Sequence, residues 1–330
     1  MRKKVTIVGS GQTGATLAHW LAIRGDVNIV LYDIVEGMPQ GKALDLMEAM
    51  PIIGSDAHIT GTNDWDQTAH SEIVVITSGL PRKPGMSRND LLKVNGGIVA
   101  NCVRNAASRS PKATLILLTN PLDAMCHIAL HESGFPSNRV FGQAGILDTA
   151  RFRAFLAMET HTSVSEVNAY VLGGHGDDMV PLIGSTNIGG APIRKLIPAD
   201  RLEAIVERTR KGGGEIVSLL KTGSAFYAPS AALAQMVDAV LNDRKRILPC
   251  AVYTGPNGGG YGINNLYLGV PAMIGACGVE RIIALDLAPE EKEAFQKSAA
   301  SVQELVDALR SLDPPLLPSD DLDAPMQPCD

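Results

Sequence analysis

The sequence predicts an α/β protein in which an N-terminal doubly wound parallel sheet is followed by a C-terminal α+β domain. In the first half, short and almost continuous apolar runs alternate with helical patterns, as expected for strands buried on both faces of a parallel sheet. In the second half, strand-like and helical segments are mixed without that alternation. The chain has 330 residues, 45% of them hydrophobic, which is enough for two domains with a substantial core.

The strands of the first half are predicted from runs rich in β-branched apolar residues. These runs are Lys4–Val8, Asn28–Tyr32, Ile73–Thr77 and Thr114–Thr119. Helix-like stretches lie between them, for example Thr16–Gly25 and Lys42–Met50. Strand and helix in alternation predict parallel strands with helices on both faces of the sheet.

The second half and the C-terminal segment have a different pattern. The segments VNAYVLG and CAVYTG resemble strands, whereas Glu203–Leu220 and Pro289–Leu312 resemble helices. The last segment, DPPLLPSDDLDAPMQPCD, is rich in proline and aspartate, a composition typical of disorder. We therefore expect a first domain at residues 1–145, a second at 146–312 and a disordered acidic tail at 313–330.

Composition argues against several classes of function. The formal net charge is −6 without a basic stripe, so there is no electrostatic basis for nucleic-acid binding. No apolar run is long enough to span a membrane, and the one after MRKK is too short for a signal peptide, so we expect a cytoplasmic protein. The cysteines form no C-x-x-C pair, which indicates neither a metal site nor a disulfide framework. They are Cys102, Cys126, Cys250, Cys277 and Cys329.

A glycine-rich loop follows the first predicted strand. The segment VTIVGSGQTG places Gly9, Gly11 and Gly14 between a strand and a helical pattern, which is the context of a Rossmann dinucleotide-binding loop. The next strand ends in Asp33, whose carboxylate can accept hydrogen bonds from a ribose diol and would repel a 2′-phosphate. The alternative is a tight strand–helix turn with an unrelated surface aspartate. The spacing and context favour binding of NAD over NADP.

Charged and polar residues follow two later strands. The segment SGLPRKPGMSRND carries Arg82 and Arg88, and it could form either a solvated basic loop or a hinged lid over a ligand. In LTNPLD, Asn120 follows a strand and could bind a ligand or only cap a helix. In ILDTARFRAF, Asp148 and Arg151 share one helical face, where they could serve a ligand site or be no more than an ordinary surface ion pair.

A histidine in VLGGHGDDM is surrounded by glycines and aspartates. A core histidine normally has bulky apolar neighbours, whereas the glycines around His175 leave room for other groups beside the ring. Imidazole has a pKa near neutral pH, which suits a general acid or base. We therefore predict that His175 lies in a functional site.

Taken in order, these motifs resemble one family, the NAD-dependent malate dehydrogenases of the lactate-dehydrogenase-like type. The resemblance extends from about residue 4 to residue 312. The motifs that carry it are GSGQTG, LPRKPGMSRNDLL, LTNPLD, GILDTARFR, VLGGHGDDMVPL, KTGSAFYAPSAA and LGVPAMIG. Departures are small: Asn89 and Gln143 differ from the commoner residues, and the loop Gly255–Gly262 is longer than usual.

The resemblance implies a role for each matching residue. His175 matches the catalytic acid–base, and Asp148 matches the carboxylate that orients it. Arg151 matches the arginine that binds the C1 carboxylate of the substrate. Arg88 matches the loop arginine that polarises the reacting carbonyl, and Arg82 matches the position that determines substrate specificity.

The resemblance also implies the cofactor site. Asn120 matches a residue that contacts both substrate and cofactor. The expected NAD contacts are Gly9, Ser10, Gly11, Gln12, Thr13, Gly14, Asp33, Asn95, Leu118, Thr119 and Asn120. No metal is expected.

The implied activity is reversible oxidation of (S)-malate to oxaloacetate, and three alternatives stay open. Two alternatives belong to the same class: lactate dehydrogenase and another 2-hydroxy acid dehydrogenase. Lactate dehydrogenases typically have glutamine at the position of Arg82. A non-catalytic NAD-binding redox sensor belongs to a different class, and it would not need His175, Asp148 and three arginines together. The expected partners are a small-molecule substrate and further copies of the chain, in a homodimer or homotetramer with Leu44–Met50 as a candidate interface.

Overall fold

The computed structural model describes residues 2–25, 27–81, 87–320, 322 and 324–327, and it does not describe the side chain of Arg88. The helices of this part of the chain are α1 (Gln12–Arg24), α2 (Met38–Ile53), α3 (Arg88–Arg109), α4 (Leu122–Ser133), α5 (Gly145–Thr160), α6 (Ala199–Leu220), α7 (Tyr227–Leu241) and α8 (Pro289–Arg310). The strands are β1 (Lys3–Val8), β2 (Val27–Tyr32), β3 (His58–Thr62), β4 (Ile73–Ile76), β5 (Thr114–Leu117), β6 (Val140–Gly142), β7 (Val167–Asn168), β8 (Val171–Leu172), β9 (Val180–Pro181), β10 (Asn187–Ile188), β11 (Ala191–Pro192), β12 (Arg246–Tyr253), β13 (Tyr267–Gly275) and β14 (Gly278–Ile282). None of the helices traced in these ranges has both the length and the hydropathy that a membrane crossing requires.

The main sheet confirms the predicted fold class. Six parallel strands lie in the order β3-β2-β1-β4-β5-β6, with helical crossovers between consecutive strands of each half. Strand order reverses between β1 and β4, and ligands of doubly wound sheets bind outside the carboxyl ends of the strands at such a reversal. Strand β12 pairs antiparallel with β6, and β13 and β14 follow it, so the predicted second domain extends the same sheet.

Burial explains why the first-half strands could be predicted and why two were missed. Every residue of β4 and β5 is buried, which matches their continuous apolar sequences. Strand β3 reads HITGT and contains one large apolar residue, and β6 has only three residues, so neither has the pattern of a buried strand. The sheet pairing of these two strands, rather than their own composition, holds them in place.

The described part of the tail differs from the expected disorder. Leu317 is 5% exposed and belongs to the main core, and the backbone of Leu322 accepts a hydrogen bond from Tyr253 Oη at 2.9 Å. Farther along, Gln327 N donates to Asn138 Oδ1 at 3.1 Å. The segment contains leucines between its prolines and aspartates, and Leu317 is buried in the core. Overall composition indicates disorder because it does not register single apolar side chains that can be buried.

The cysteines also differ in one respect from the expectation. Cys102, Cys126 and Cys250 are buried free thiols, but Cys277 is disulfide-bonded. The scattered spacing of the cysteines along the chain does not indicate such a bond.

Candidate active site

The glycine loop forms a tight turn between β1 and α1. Gly9 has a φ of 106°, a conformation that glycine adopts without steric cost. A Cβ atom on Gly14 would lie 1.9 Å from the carbonyl oxygen of Gly9, so only glycine allows the helix to approach the strand this closely. Gly11 lies at the N-terminal end of α1 with open space on its Cα side, where a ligand phosphate can reach the free N–H groups of the helix.

The carboxylate of Asp33 is fixed at the end of β2. Its Oδ2 atom accepts a hydrogen bond from Ser10 N at 2.7 Å, and its Oδ1 atom accepts one from Val35 N at 3.1 Å. Lys42 Nζ donates to the carbonyl oxygen of Ser10 at 2.7 Å on the other side of the loop. Asp33, Gly9 and Gly11 line a cleft of about 620 Å³. A cleft with this volume, a helix N-terminus and an acidic rim fits the phosphates and the adenosine ribose of NAD.

The remaining residues of the loop lie at the start of α1. Gln12 is the first residue of this helix and is exposed, and Thr13 follows it. The carbonyl oxygen of Thr13 accepts a hydrogen bond from Ser230 Oγ at 2.8 Å, which joins the loop to α7. The loop is therefore supported by a helix of the second half of the chain.

The segment after β5 lies against the loop after β4, and hydrogen bonds between protein groups join the two. Asn95 Oδ1 accepts a hydrogen bond from Leu80 N, while its Nδ2 atom donates to the carbonyl oxygens of Leu80 and Asn120. Thr119 Oγ1 donates to the carbonyl oxygen of Ser78 at 2.6 Å. Leu118 is partly buried in the same segment. These bonds hold the loop after β4 against the loop after β5. Both N–H groups of the Asn95 amide and one lone pair of its Oδ1 are used in them. A cofactor contact of Asn95 would therefore have to use the second lone pair of Oδ1.

His175 lies in the loop between β8 and β9, beside the first turn of α5. Its Nδ1 atom is 2.8 Å from Asp148 Oδ2, and the two side chains are 15% and 2% exposed respectively. Two cavities of about 570 and 510 Å³ meet at His175, and Asn120 lines the second one. The histidine therefore has its orienting carboxylate on the inner side, while open space remains on the outer side.

Arg151 completes this cluster from one turn farther along α5. Its Nη1 atom is 3.2 Å from Asp148 Oδ1, so the aspartate binds the histidine and the arginine with different oxygens. Gly212 of α6 lies against the arginine: a Cβ atom there would be 3.1 Å from Arg151 Cδ. The run KGGGE was not singled out in the sequence. A glycine run inside an otherwise amphipathic helix is the signal that could have indicated a close approach of another group.

The pKa of His175 is the result of opposing effects. Burial alone would lower it, but the charge and hydrogen bond of Asp148, together with the charge of Asp123, more than offset burial and raise the pKa above its ordinary value. The charge of Arg151 acts in the opposite direction. An imidazole with a raised pKa is well suited to hold a proton and to release it near neutral pH.

The two loop arginines of the sequence, Arg82 and Arg88, were expected to act on the substrate. Arg82 lies outside the described residues, and so does the side chain of Arg88. The backbone of Arg88 begins α3, where Ser87 and Asp90 form a reciprocal pair of capping hydrogen bonds. The roles of both arginines remain predictions from the sequence.

Comparisons with known proteins agree with this site. The chain matches the family model of the lactate/malate dehydrogenase NAD-binding domain over residues 3–142, and that of the lactate/malate dehydrogenase alpha/beta C-terminal domain over residues 146–311. It is 58% identical to a malate dehydrogenase of Thermomicrobium roseum over 312 residues, which cover 94% of this chain and 100% of the relative.

Two solved structures are similar to the whole fold. The malate dehydrogenase of Cryptosporidium parvum has a TM-score of 0.91 at 46% identity, covering 94% of this chain and 100% of that one. A lactate dehydrogenase of the same organism, solved with lactic acid and nicotinamide adenine dinucleotide, has a TM-score of 0.91 at 38% identity, covering 94% and 99%. With a glycine loop for a dinucleotide and a histidine–aspartate–arginine cluster beyond it, the chain belongs to the NAD-dependent lactate/malate dehydrogenase family of oxidoreductases.

Proposed function

We propose that this protein is a malate dehydrogenase, which oxidises (S)-malate to oxaloacetate with NAD and catalyses the reverse reaction. The observation that supports this most directly is the cluster in which Asp148 binds both His175 and Arg151, at 2.8 and 3.2 Å. An acid–base and a carboxylate-binding group are thereby held at a fixed distance from each other. These are the two functions that oxidation of a 2-hydroxy acid needs from the protein.

The chain's own residues handle the proton and the substrate. Bound NAD supplies the hydride acceptor, which no side chain can replace. In the oxidative direction, neutral His175 takes the proton of the C2 hydroxyl while the hydrogen on C2 departs with its electron pair, so that a C=O bond forms. Asp148 stabilises the resulting imidazolium and keeps Nδ1 protonated, which leaves Nε2 free to act as the base. Arg151 binds the C1 carboxylate with two parallel hydrogen bonds.

The choice of substrate depends on residues known only from the sequence. We infer that Arg82 binds the second carboxylate of malate and that Arg88 polarises the reacting oxygen. Lactate dehydrogenase remains the alternative in the same class, because the relatives include proteins of both names at similar structural distance. A redox sensor without catalysis is a weaker alternative, because a buried carboxylate with two cationic partners is costly to maintain when it has no chemical use.

One comparison of substrates tests the proposal. NADH oxidation is measured with oxaloacetate and with pyruvate, for the wild type and for His175→Asn. We expect oxaloacetate to be the better substrate, and we expect the variant to bind NADH normally while its kcat falls by about 10²–10⁴-fold. His131→Asn, which changes an exposed histidine of α4, is the matched control. Preference for pyruvate would replace malate with lactate, and a His175→Asn variant with more than about a tenth of the wild-type kcat would refute the role of His175.

The assembly, location and domain division are also proposals. We propose a homodimer or homotetramer, which is supported by exposed apolar side chains on α2: Leu44 is 61% exposed and Ile52 is 85% exposed. Light scattering of the purified protein would measure the mass directly. We propose a cytoplasmic location, which cell fractionation would test, and a division into residues 1–145 and 146–312, which limited proteolysis would test.

A further inference from the structure

A second buried carboxylate lies on the other side of His175. Asp123 is in the first turn of α4 and is 3% exposed. Its Oδ2 atom accepts a hydrogen bond from the backbone N–H of His175 at 2.9 Å. Its Oδ1 atom is also buried and has no hydrogen-bond partner among the described residues. A buried carboxylate with a free oxygen is expensive to keep, so its presence beside the acid–base needs an explanation.

The surrounding backbone is built to approach this carboxylate. A Cβ atom on Gly174 would lie 2.6 Å from Val302 Cγ2 and 3.4 Å from Asp123 Oδ2, so a side chain there would separate the loop from α4 and α8. Ser298 Oγ of α8 accepts a hydrogen bond from Gly174 N at 2.9 Å. The N–H groups of two consecutive loop residues are thus held by side chains from two different helices. This arrangement fixes the backbone that carries the imidazole.

We propose that Asp123 is a second positioning residue for His175, which holds its backbone N–H and whose negative charge stabilises the protonated imidazole. In this arrangement, Asp148 acts on the ring through Nδ1, and Asp123 acts on the same residue from the backbone side. The proposal rests on the proposed function, because it assigns Asp123 a part in the proton transfer of the same site.

The charge of Asp123 is present under the conditions of the reaction. Burial raises the pKa of Asp123 to about 6, against the lowering effect of the hydrogen bond from His175 N and of the His175 charge, so the carboxylate is mainly ionised at pH 7 and above. Its charge is also one of the effects that raise the pKa of His175. At pH values below about 6 this support for the protonated imidazole is lost as Asp123 takes up a proton.

Other charged groups surround the pair and have to be considered in any pH experiment. Those on the described elements around His175 are Asp148 and Arg151 on α5, Asp177 and Asp178 in its own loop, and Arg210, Lys211 and Glu215 on α6. Cys126 on α4 lies near Asp123, and the polar side chains that α8 contributes to the lining of the second cavity are Ser298 and Ser301. Asp178 is already bonded to Ser301 Oγ at 2.8 Å, and Glu215 to Arg208 at 2.8 and 2.9 Å.

Asp123→Asn separates the charge from the hydrogen bond. The amide oxygen of asparagine can still accept from His175 N, so the loop retains its backbone contact while the charge disappears. We expect the pKa of His175 to fall by about one unit, the size of effect that one unit charge has across several ångströms of protein at an effective dielectric constant of about 20–40. The acid limb of kcat/KM for malate should move to lower pH by the same amount. Above pH 7, reduction of oxaloacetate should become up to about tenfold slower.

Glu291→Gln is a matched control. Glu291 is also a buried carboxylate, and it accepts backbone N–H bonds from Gly184 and Ala288 at 2.9 and 3.0 Å. It is not among the groups that affect the pKa of His175. This variant should therefore change stability without moving either limb of the pH profile.

A direct readout keeps the test independent of turnover. NMR of protein with labelled histidines follows the titration of His175, whose signal is identified by its loss in His175→Asn. If Asp123→Asn folds, binds NADH and titrates at the wild-type pH, Asp123 is only a structural residue and the proposal is wrong. A downward shift of both the NMR titration and the acid limb supports it. Lack of oxaloacetate and pyruvate reduction in the wild type would overturn the proposed function instead, while the NMR titration would still decide the influence of Asp123.

Discussion

Replacing Asp148 with asparagine should nearly abolish catalysis without removing cofactor binding. Asp148 is 2% exposed and is 2.8 Å from His175 Nδ1 and 3.2 Å from Arg151 Nη1. An asparagine that turns its NH₂ group toward the ring would require Nδ1 to be an acceptor, so the proton would move to Nε2 and the base would be blocked. An asparagine that turns its oxygen toward the ring keeps the tautomer but loses the charge.

The size of the effect follows from that lost charge. Two unit charges with centres about 4 Å apart interact with about 4 kcal/mol at an effective dielectric constant of 20, which corresponds to about 10³-fold. We therefore expect kcat/KM to fall by about 10²–10⁴-fold in both directions. Because the Asp148 charge helps raise the pKa of His175, the acid limb for malate oxidation should also move to lower pH.

Steady-state rates from pH 5 to 10 and NADH fluorescence titrations provide the measurement. Glu159→Gln is the matched control, because Glu159 lies on the same helix but pairs with Arg201 at the surface, at 2.8 and 2.9 Å. Its kcat/KM should stay within about twofold of the wild type. If Asp148→Asn retained more than about a tenth of the wild-type kcat/KM, the histidine would not depend on this carboxylate and the assigned proton relay would be wrong.

Three further outcomes are expected. The wild type should prefer NAD to NADP, and Asp33→Ser should lower the ratio of their kcat/KM values by about tenfold or more, as measured with both cofactors; equal use of the two by the wild type would contradict the role of Asp33. Arg82→Gln should lose at least about 30-fold in kcat/KM for oxaloacetate and gain on pyruvate, whereas an unchanged ratio of the two activities would remove the physical argument for malate. Leu317→Ala should reduce the free energy of unfolding, measured by urea titration, by about 2 kcal/mol, because it leaves a cavity in the core. If it reduced this free energy no more than Met326→Ala, which changes an exposed side chain, the tail would not be anchored by Leu317.

The sequence was most informative where local chemistry requires a particular residue type. Gly14 cannot carry a Cβ atom next to the carbonyl of Gly9, and the buried strands β4 and β5 need continuous apolar residues. Such requirements are satisfied within a few residues of chain, so they leave a readable pattern. The spacing of Asp148 and Arg151 is similarly local, because one turn of helix places both on the same side.

Contacts between distant segments left no comparable pattern. Asp123 meets His175 across 52 residues of sequence, and in LTNPLD it reads as an ordinary acidic residue in the first turn of a helix. Gly212 approaches Arg151 from another helix, and Leu317 reaches the core from a segment whose composition resembles a disordered tail. In each case the partner is determined by the packing of elements, which single-sequence periodicity does not describe.

The charges around His175 also have a consequence for binding. Asp148 and Asp123 carry two negative charges at neutral pH, whereas Arg151 carries one positive charge. These three side chains and His175 form a group whose net charge is zero when His175 is protonated. When His175 is neutral, the same group has a net charge of −1. The group with the protonated histidine should therefore accept the anionic keto acid more readily than the group with the neutral one.

Binding of a keto acid analogue such as oxamate to the NADH complex should take up close to one proton at pH values above the pKa of His175, and fewer at pH values below it. Isothermal titration calorimetry in buffers of different ionisation enthalpy would measure this uptake. In Asp123→Asn the pKa of His175 is lower, so the same uptake should begin at a lower pH.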